Sequence, residues 1–421
     1  MTRFTRLSDW LDWQTTLHPD RIDLGLERVA EVAGRMGLLK PAYRVVSVAG
    51  TNGKGSSVAM LDAIYRAAGY RTATYTSPHL LRYNERIRID GVEVGDKELC
   101  AAFASVDAAR GDISLTYFEF GTLAALQLFD RARLDIAILE VGMGGRLDAV
   151  NIVDADVALV TCIDIDHRAW LGSERDSIGR EKAGIFRSGH PAICSDPAPP
   201  DSVRQVAVNL AANWCARGDG FDYRATSDNW SWSGRSMALE SLPLPALPGS
   251  HQLDNAAGVL AVVEALQDAC PVGRAAIEQG LSSVRLGGRC QIIPGDVELL
   301  VDVAHNPAAA ATLAGVLRTR PPAACTWLVL GMLDDKDAAG FAEALEGCVD
   351  VWCLAGLSVE RGLSAARLQQ RTGDVTDGRE TLLFETVTAA MKNLQQRAGP
   401  GDRVVVCGSF FGVAEALECQ V

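Results

Sequence analysis

Val48-Ala49-Gly50-Thr51-Asn52-Gly53-Lys54-Gly55-Ser56 is the stretch that decides the fold. It follows an apolar run, Val45-Val46-Ser47-Val48, and leads into a helical pattern, Val58-Ala59-Met60-Leu61-Asp62-Ala63-Ile64-Tyr65. A strand, a glycine turn, a lysine and a helix start make a phosphate cradle. The glycines let backbone N–H groups converge on an anion, the helix N-terminus adds partial positive charge, and Lys54 adds a full one. Two positions leave the general pattern G-x-x-x-x-G-K-[ST]: Val48 stands at the first glycine, and Gly55 follows Lys54, so the hydroxyl arrives one step late at Ser56.

Around this loop, apolar runs and helical patterns alternate. Strands are expected at Val45–Ala49, Thr72–Thr76, Asp135–Glu140, Val157–Thr161, Leu299–Ala304, Trp327–Gly331, Val351–Leu354 and Val404–Cys407. Several are unbroken Val/Ile/Leu runs, as in parallel strands buried on both faces. Helices such as Phe118–Phe129 and Ala308–Leu317 lie between some of them. The expectation is an α/β fold: an N-terminal phosphate-loop domain with a mostly parallel sheet, and a C-terminal Rossmann-like α/β domain. Asp222–Pro248 differs, with Trp230, Trp232, Pro243, Pro245 and Pro248 among short alternating runs. It reads as a small antiparallel accessory sheet, followed by a helix from about Asn255 to Leu266. The Gly/Arg-rich Val284–Arg289 marks the boundary, dividing the chain into 1–288 and 289–421.

Composition narrows the class. The chain has 421 residues, room for two domains with cores of their own. Hydrophobic content of 48% and charged content of 22% are those of a soluble globular protein. No apolar run approaches the ~18 residues of a membrane span, and the N-terminus shows no signal-peptide apolar segment. Eleven scattered cysteines without a C-x-x-C pair point to buried thiols in a reducing cytoplasm. A net charge of −13 argues against nucleic acid as a partner.

Five more segments carry chemistry. Thr76-Ser77-Pro78-His79-Leu80, Leu139-Glu140-Val141-Gly142-Met143-Gly144-Gly145-Arg146-Leu147-Asp148 and Ile163-Asp164-Ile165-Asp166-His167 each end a strand. Glu181-Lys182-Ala183-Gly184-Ile185 sits on a short helical stretch, and Asp302-Val303-Ala304-His305-Asn306-Pro307 ends a strand of the second domain. Ligands of open parallel sheets bind at the carboxyl ends of strands, so the first-domain segments point at one crevice. Glu140 is placed either to hold Mg²⁺ or to cap the next turn. His167 is either structural or a ligand after two aspartates. Lys182 by itself reads as a surface lysine, and Ser77 as a turn residue.

Together these segments resemble the folylpolyglutamate synthase/dihydrofolate synthase family, the folate branch of the ATP-dependent amide ligases that include the Mur enzymes. The resemblance rests on Ile22–Arg28, Ala49–Ser56, Thr76–Leu80, Leu139–Asp148, Asp166-His167, Glu181–Ile185, Asp302–Pro307 and Gly408-Ser409. These eight motifs stand in order over almost the whole chain. The Lys54-Gly55-Ser56 spacing matches that family's own form of the loop.

The resemblance implies roles. Thr51, Asn52, Gly53, Lys54, Gly55 and Ser56 hold the ATP phosphates. Asn255, Arg289 and Asp302 complete the ATP site. Ser77, Glu140 and His167 bind one or two Mg²⁺ ions, together with Lys182 as a carbamate. His305 and Ser409 place the incoming L-glutamate. The pterin-type substrate lies against Leu17-His18-Pro19, Tyr117-Phe118-Glu119 and Leu147-Asp148-Ala149. The catalytic set is Lys54, Lys182, His167, Glu140 and His305. The implied activity adds L-glutamate to dihydropteroate, giving dihydrofolate, and to the tail of reduced folates through an acyl phosphate. Domain closure about Val284–Arg289 would shield that intermediate from water. K⁺ is compatible with the resemblance but demanded by no residue, and a monomer is the family default. The partners implied are small molecules, with no nucleic acid and no membrane. Three positions leave the family pattern: Gly287, Arg168, and Phe410-Phe411 after Ser409.

Rival readings account for less. A Mur-type ligase acting on a UDP-sugar carries an extra domain before the loop, and only about 48 residues precede it here. A switch NTPase leaves Glu181–Ile185 and Asp302–Pro307 unexplained. A folate-binding module with a degenerate ATP site conflicts with the presence of every presumed catalytic residue.

Overall fold

The structure, a computed structural model, describes residues 3–20 and 22–419. It divides into two compact units. The first runs to Ala246 and takes in Gln252–Val284; the second takes in Leu247–His251 and the chain from Arg285 onward.

The first unit is built on an eleven-strand sheet. Its strands are β1 (Arg44–Ala49), β2 (Thr72–Tyr75), β3 (Ile87–Ile89), β4 (Val92–Glu93), β5 (Ile136–Glu140), β6 (Val157–Val160), β7 (Pro191–Cys194), β8 (Asn213–Arg217), β9 (Gly220–Ala225), β10 (Asn229–Ser233) and β11 (Ala238–Pro243). The spatial order is β11-β10-β9-β8-β7-β6-β1-β5-β2-β3-β4. Strands β8, β7, β6, β1, β5 and β2 run parallel. Every residue of β2, β5 and β6 is buried, and β1 is buried after Arg44. That burial on both faces is why these segments read as unbroken apolar runs. The Trp-rich segment forms the antiparallel strands β9, β10 and β11. They extend one edge of the main sheet through a single residue pair, Arg217 with Phe221. Helix His251–Ala265 starts four residues earlier than the expected Asn255.

Two helices fix the site. Lys54–Ala67 begins directly at the phosphate loop, with Gly53 in the left-handed region at φ 89° as its N-cap. Helix Arg274–Ser283 packs so closely on it that a Cβ at Gly280 would lie 2.6 Å from Ile64 Cα. Tyr117–Ala132 is started by a capping box, in which Thr116 and Glu119 satisfy each other's backbone N–H groups.

The second unit carries six strands: β12 (Gln291–Ile293), β13 (Glu298–Val301), β14 (Thr326–Leu330), β15 (Val351–Ala355), β16 (Thr381–Phe384) and β17 (Arg403–Cys407). Their order is β12-β13-β17-β14-β15-β16, all parallel except the β12 edge. Its core gathers Leu300, Leu328, Leu330, Phe341, Trp352 and Val405, all fully buried.

Candidate active site

The phosphate loop follows β1 and is braced by the chain after β6. Thr51 N donates to Cys162 O at 2.7 Å, and the Thr51 hydroxyl donates to Asp164 O at 2.9 Å. Thr51 is therefore engaged in holding the loop's shape. The glycines are required by close approach: a Cβ at Gly50 would lie 1.8 Å from Thr161 Oγ1, and one at Gly53 2.3 Å from Asn255 Oδ1. Asn255 donates to Gln252 Oε1 at 2.9 Å, and Gln252 Nε2 donates to Ser56 Oγ at 3.3 Å. Asn255 and Ser56 thus meet through Gln252, which the sequence reading passed over. The available signal was its position three residues before Asn255, on the same helix face.

Two amines converge on one carbonyl in this loop. Lys54 Nζ donates to Gly50 O at 3.0 Å and to Thr51 O at 3.1 Å. Lys182 Nζ donates to Gly50 O at 2.8 Å. Lys182 is buried, and burial pushes its amine down to about 7, helped by the charge of Lys54 and opposed by Asp166 and Asp148. A lysine in that range presents a neutral, nucleophilic amine near neutral pH.

The glycine-rich stretch after β5 mounts Lys182. A Cβ at Gly145 would lie 2.7 Å from Lys182 O and 3.1 Å from its Cα, so only glycine lets the turn reach the lysine's backbone. Arg146 N donates to Glu181 O at 2.9 Å, and its guanidinium pairs with Glu181 at 2.9 Å. Asn151 Nδ2 donates to Arg146 O and Gly184 O, tying the glycine turn to the segment that follows Lys182. Asp148 is buried and braces the same turn, accepting from Met143 N at 2.8 Å and Val150 N at 3.1 Å. Burial raises its carboxyl to about 7 against those donors and the charge of Lys54.

At the strand ends, Ser77 N donates to Glu140 Oε2 at 3.2 Å, joining the residues after β2 and at the end of β5. Glu140 is buried. His167 is exposed, with φ 51°, and follows β6, on the other side of β1 from Glu140. Among the described residues no group of three or more His, Cys, Asp or Glu side chains is gathered as a metal site. The expected set holds only two such residues, Glu140 and His167; its other members are a hydroxyl and a lysine.

The expected acceptor side is an ionic chain. His18 Nε2 lies 3.4 Å from Asp23 Oδ2; Arg28 pairs with Asp23 and, at 3.1 Å, with the buried Glu119. Glu119 is thereby engaged by Arg28 and its own capping box. Leu17 O accepts from Ser114 Oγ, and Pro19 is exposed. Tyr117 is half-buried, and Phe118 stacks on Tyr75 with ring centroids 5.7 Å apart. Ala149 is buried and Leu147 half-buried, on either side of Asp148.

In the second unit, Asp302 accepts from Cys290 N and Ala304 N, each at 2.7 Å. His305 Nδ1 lies 2.9 Å from Val303 O; a carbonyl only accepts, so Nδ1 carries a proton. The Arg289 guanidinium sits 5.1 Å from the Phe410 ring centroid, and the His305 ring 6.2 Å from it. Ser409 caps the next helix, accepting from Gly412 N at 3.0 Å. Phe410, one of the departures from the family pattern, is the ring around which Arg289 and His305 gather.

Similarity to known proteins extends over nearly the whole chain. The Mur ligase middle domain matches residues 48–263, and the Mur ligase glutamate ligase domain matches residues 288–410. The chain is 47% identical to the dihydrofolate synthase/folylpolyglutamate synthase of Escherichia coli (strain K12), over 98% of this chain and 95% of that protein. The chain belongs to the dihydrofolate synthase/folylpolyglutamate synthase family. The Haemophilus influenzae member is 39% identical, over 97% of this chain and 96% of its own. The structure of E. coli FolC in complex with DHPP and ADP superposes with a TM-score of 0.93 at 47% identity, covering 99% of this chain and 98% of that one. A bifunctional folylpolyglutamate synthase/dihydrofolate synthase with Mn, AMPPNP and L-glutamate bound superposes with a TM-score of 0.92 at 45% identity, over 100% of both chains. As a member of that family, the chain is a carbon–nitrogen ligase of the Mur ligase group, with that group's two-domain α/β fold. No helix among the described residues is long and apolar enough to cross a membrane.

Proposed function

We propose that this chain uses ATP to join L-glutamate to dihydropteroate, giving dihydrofolate, and to extend the glutamate tail of reduced folates. The observation that carries this reading is the convergence of Lys54 and the buried Lys182 on Gly50 O, with Glu140 and Ser77 joined at neighbouring strand ends.

A carboxylate is a poor electrophile, so it is activated first. A carboxylate oxygen attacks the ATP γ-phosphorus, and the bond to ADP breaks, leaving an acyl phosphate. The α-amine of glutamate then attacks the acyl carbon, phosphate departs, and the amine loses a proton. Asn52, Gly53, Gly55 and Ser56 cradle the phosphates at the helix N-terminus, with Thr51 bracing the loop and Asn255 setting Gly53. Lys54 offsets charge on the transferring group, a positioning and electrostatic task. His305 and Ser409, with Arg289 and Asp302 beside them, serve the second unit's share of glutamate and nucleotide binding. Leu17–Pro19, Tyr117–Glu119 and Leu147–Ala149 take the pterin-type acceptor.

Glu140 and Ser77 fit Mg²⁺, since a buried carboxylate beside a serine offers hard oxygen, and when bound the ion would supply charge neutralisation at the phosphoryl oxygens; His167, across β1 from them, joins this set on the family resemblance. Lys182 completes that set as a carbamate: its neutral Nζ attacks CO₂ and loses a proton, leaving an N-carboxylate. Burial and the depressed amine support this reading. Eleven free thiols fit a cytoplasmic enzyme, which we read as a monomer.

Incubating the purified protein with MgATP, L-glutamate and either dihydropteroate or tetrahydrofolate, with products identified by mass, tests the assignment. Dihydrofolate from the first and a one-glutamate extension of the second are expected. Extension of tetrahydrofolate alone would reduce the assignment to one activity, and neither product would end it.

A further inference from the structure

Arg86 is a buried cation with no carboxylate beside it. It is only 9% exposed. Its Nε donates to His79 Nδ1 at 2.9 Å, and its guanidinium lies 5.2 Å from the Tyr83 ring centroid and 5.7 Å from that of Tyr117. No Asp or Glu among the described residues pairs with it. Glu85, its sequence neighbour, is engaged elsewhere, accepting from Leu80 N, Leu81 N and Arg82 N, each at 2.7 Å. His79 is no counter-charge either: its Nδ1 accepts, so the ring is neutral, and burial and the arginine push it down to about 4. The two Nη groups donate to nothing among the described residues, yet neither is sealed from solvent. Aromatic rings soften the burial of a guanidinium but leave its fork of donors open. A buried charge in that state is costly until an anion reaches it.

The position says which anion. Thr76 N donates to Arg86 O at 2.8 Å, so Arg86 lies beside Thr76, next to Ser77. Tyr117 opens the helix that carries Phe118 and Glu119, so the guanidinium faces the acceptor residues. The phosphate loop follows β1, whereas Arg86 leads into β3, three places along the order β1-β5-β2-β3. At ~4.8 Å per strand the two backbones stand about 14 Å apart, a gap that the long arginine side chain and the phosphates held at the loop shorten from either side. Lys54 does not reach across, because its amine folds back onto Gly50 O and Thr51 O. Arg86 and Lys54 are therefore separate cations, and one carboxylate does not serve both.

We propose that Arg86 anchors a second, unreacting carboxylate of the acceptor: the α-carboxylate of the terminal glutamate whose γ-carboxylate is activated. The inference rests on the proposed ligase function and adds a specificity element to it. Dihydropteroate has a single carboxylate, the reacting one, and leaves this subsite unfilled. Tailed folates fill it, so Arg86 favours chain extension over the first glutamate addition.

The test is the ratio of kcat/KM for tetrahydrofolate to kcat/KM for dihydropteroate, in the wild type and in Arg86→Gln, Arg86→Lys and Arg88→Gln. Arg88 is a nearby arginine paired with Glu93 at 3.0 Å and controls for general loss of charge. Arg86→Gln should lower the ratio tenfold or more, mainly through the KM for tetrahydrofolate, with Arg86→Lys between it and the wild type. Arg88→Gln should leave the ratio within about twofold. A ratio unmoved in Arg86→Gln, or moved equally by Arg88→Gln, overturns the proposal. If Arg86→Gln does not fold, the wild type decides: tetrahydrofolate carrying an α-carboxamide should show a KM at least tenfold above that of the parent, and equal KM values overturn the proposal. A wild type inert with both parent substrates would sink the ligase reading itself, a failure separate from that of Arg86.

Discussion

Lys182 sets charge against burial, and its pH behaviour follows from that conflict. Its amine is held at about 7 in the fold against an ordinary 10.5. Between those values the unfolded chain carries one more proton than the folded one, so this residue's contribution makes stability rise with pH there. Below pH 7 both states are protonated and the cost of burying the charge is felt in full. In CO₂-free buffer, Lys182→Met should therefore stabilise the protein by a few kcal/mol below pH 7, and the gain should fade towards pH 10.5 in denaturant titrations. A gain that grows with pH would contradict this. Activity should move the other way. Lys182→Ala should lose most turnover and recover part of it with added acetate or propionate, small carboxylates that take the place of the carbamate. Lys54→Ala should lower kcat by about 10³-fold or more, with circular dichroism unchanged; near-normal turnover would remove Lys54 from the mechanism. At this scale the sequence showed which residues matter better than how they are engaged. Glycine spacing picks out Lys54 and strand-end position brings forward Glu140, while Ser77 and Lys182 enter through the family resemblance. These signals do not show that the Thr51 hydroxyl is committed to Asp164 or that Asp148 braces the Met143 turn, because those bonds depend on chain segments far apart or on local turn geometry.

Among the elements, the glycine turn after β5 carries the packing argument. Its three glycines follow a strand-end carboxylate, and close packing accounts for two of them: Gly142 lies under the Phe118 ring and Gly145 against the backbone of Lys182. Gly145→Ala must push the Lys182 helix end away, since a Cβ there sits 2.7 Å from a carbonyl oxygen. The expected result is a kcat at least tenfold lower with a small change in melting temperature. Helix Arg274–Ser283 offers the complementary case. Gly280→Ala drives a methyl into the Ile64 backbone, and overpacking of this kind costs about 1–3 kcal/mol. Because Ile64 belongs to the helix that starts at Lys54, the variant should lose denaturant resistance, read as a lower midpoint, and lose phosphate affinity with it. Unbroken apolar runs made β1, β5, β6, β14, β15 and β17 legible. The strands β3, β4, β7, β8 and β16 were not: β3 and β4 span only three and two residues, β7 opens on Pro191, and β8 and β16 are only partly buried.

Across the whole molecule, motifs from both units belong to one family's chemistry, and the eight ordered segments made that legible before any coordinates. What order along the chain does not convey is linkage through side chains: the His18–Asp23–Arg28–Glu119 chain, the Gln252 relay to Ser56, and the unpaired Arg86 all arise where distant segments meet. The central claim is that the acceptor's carboxylate is phosphorylated by ATP and then captured by glutamate. It is tested most directly with dihydropteroate labelled with ¹⁸O in its carboxylate, MgATP and L-glutamate, measuring dihydrofolate and the mass of the released phosphate together. The account predicts phosphate release that requires both dihydropteroate and glutamate, one phosphate per dihydrofolate, and one ¹⁸O atom in each phosphate released from doubly labelled acceptor. Dihydrofolate formed with unlabelled phosphate, or phosphate released without regard to acceptor and glutamate, would contradict it.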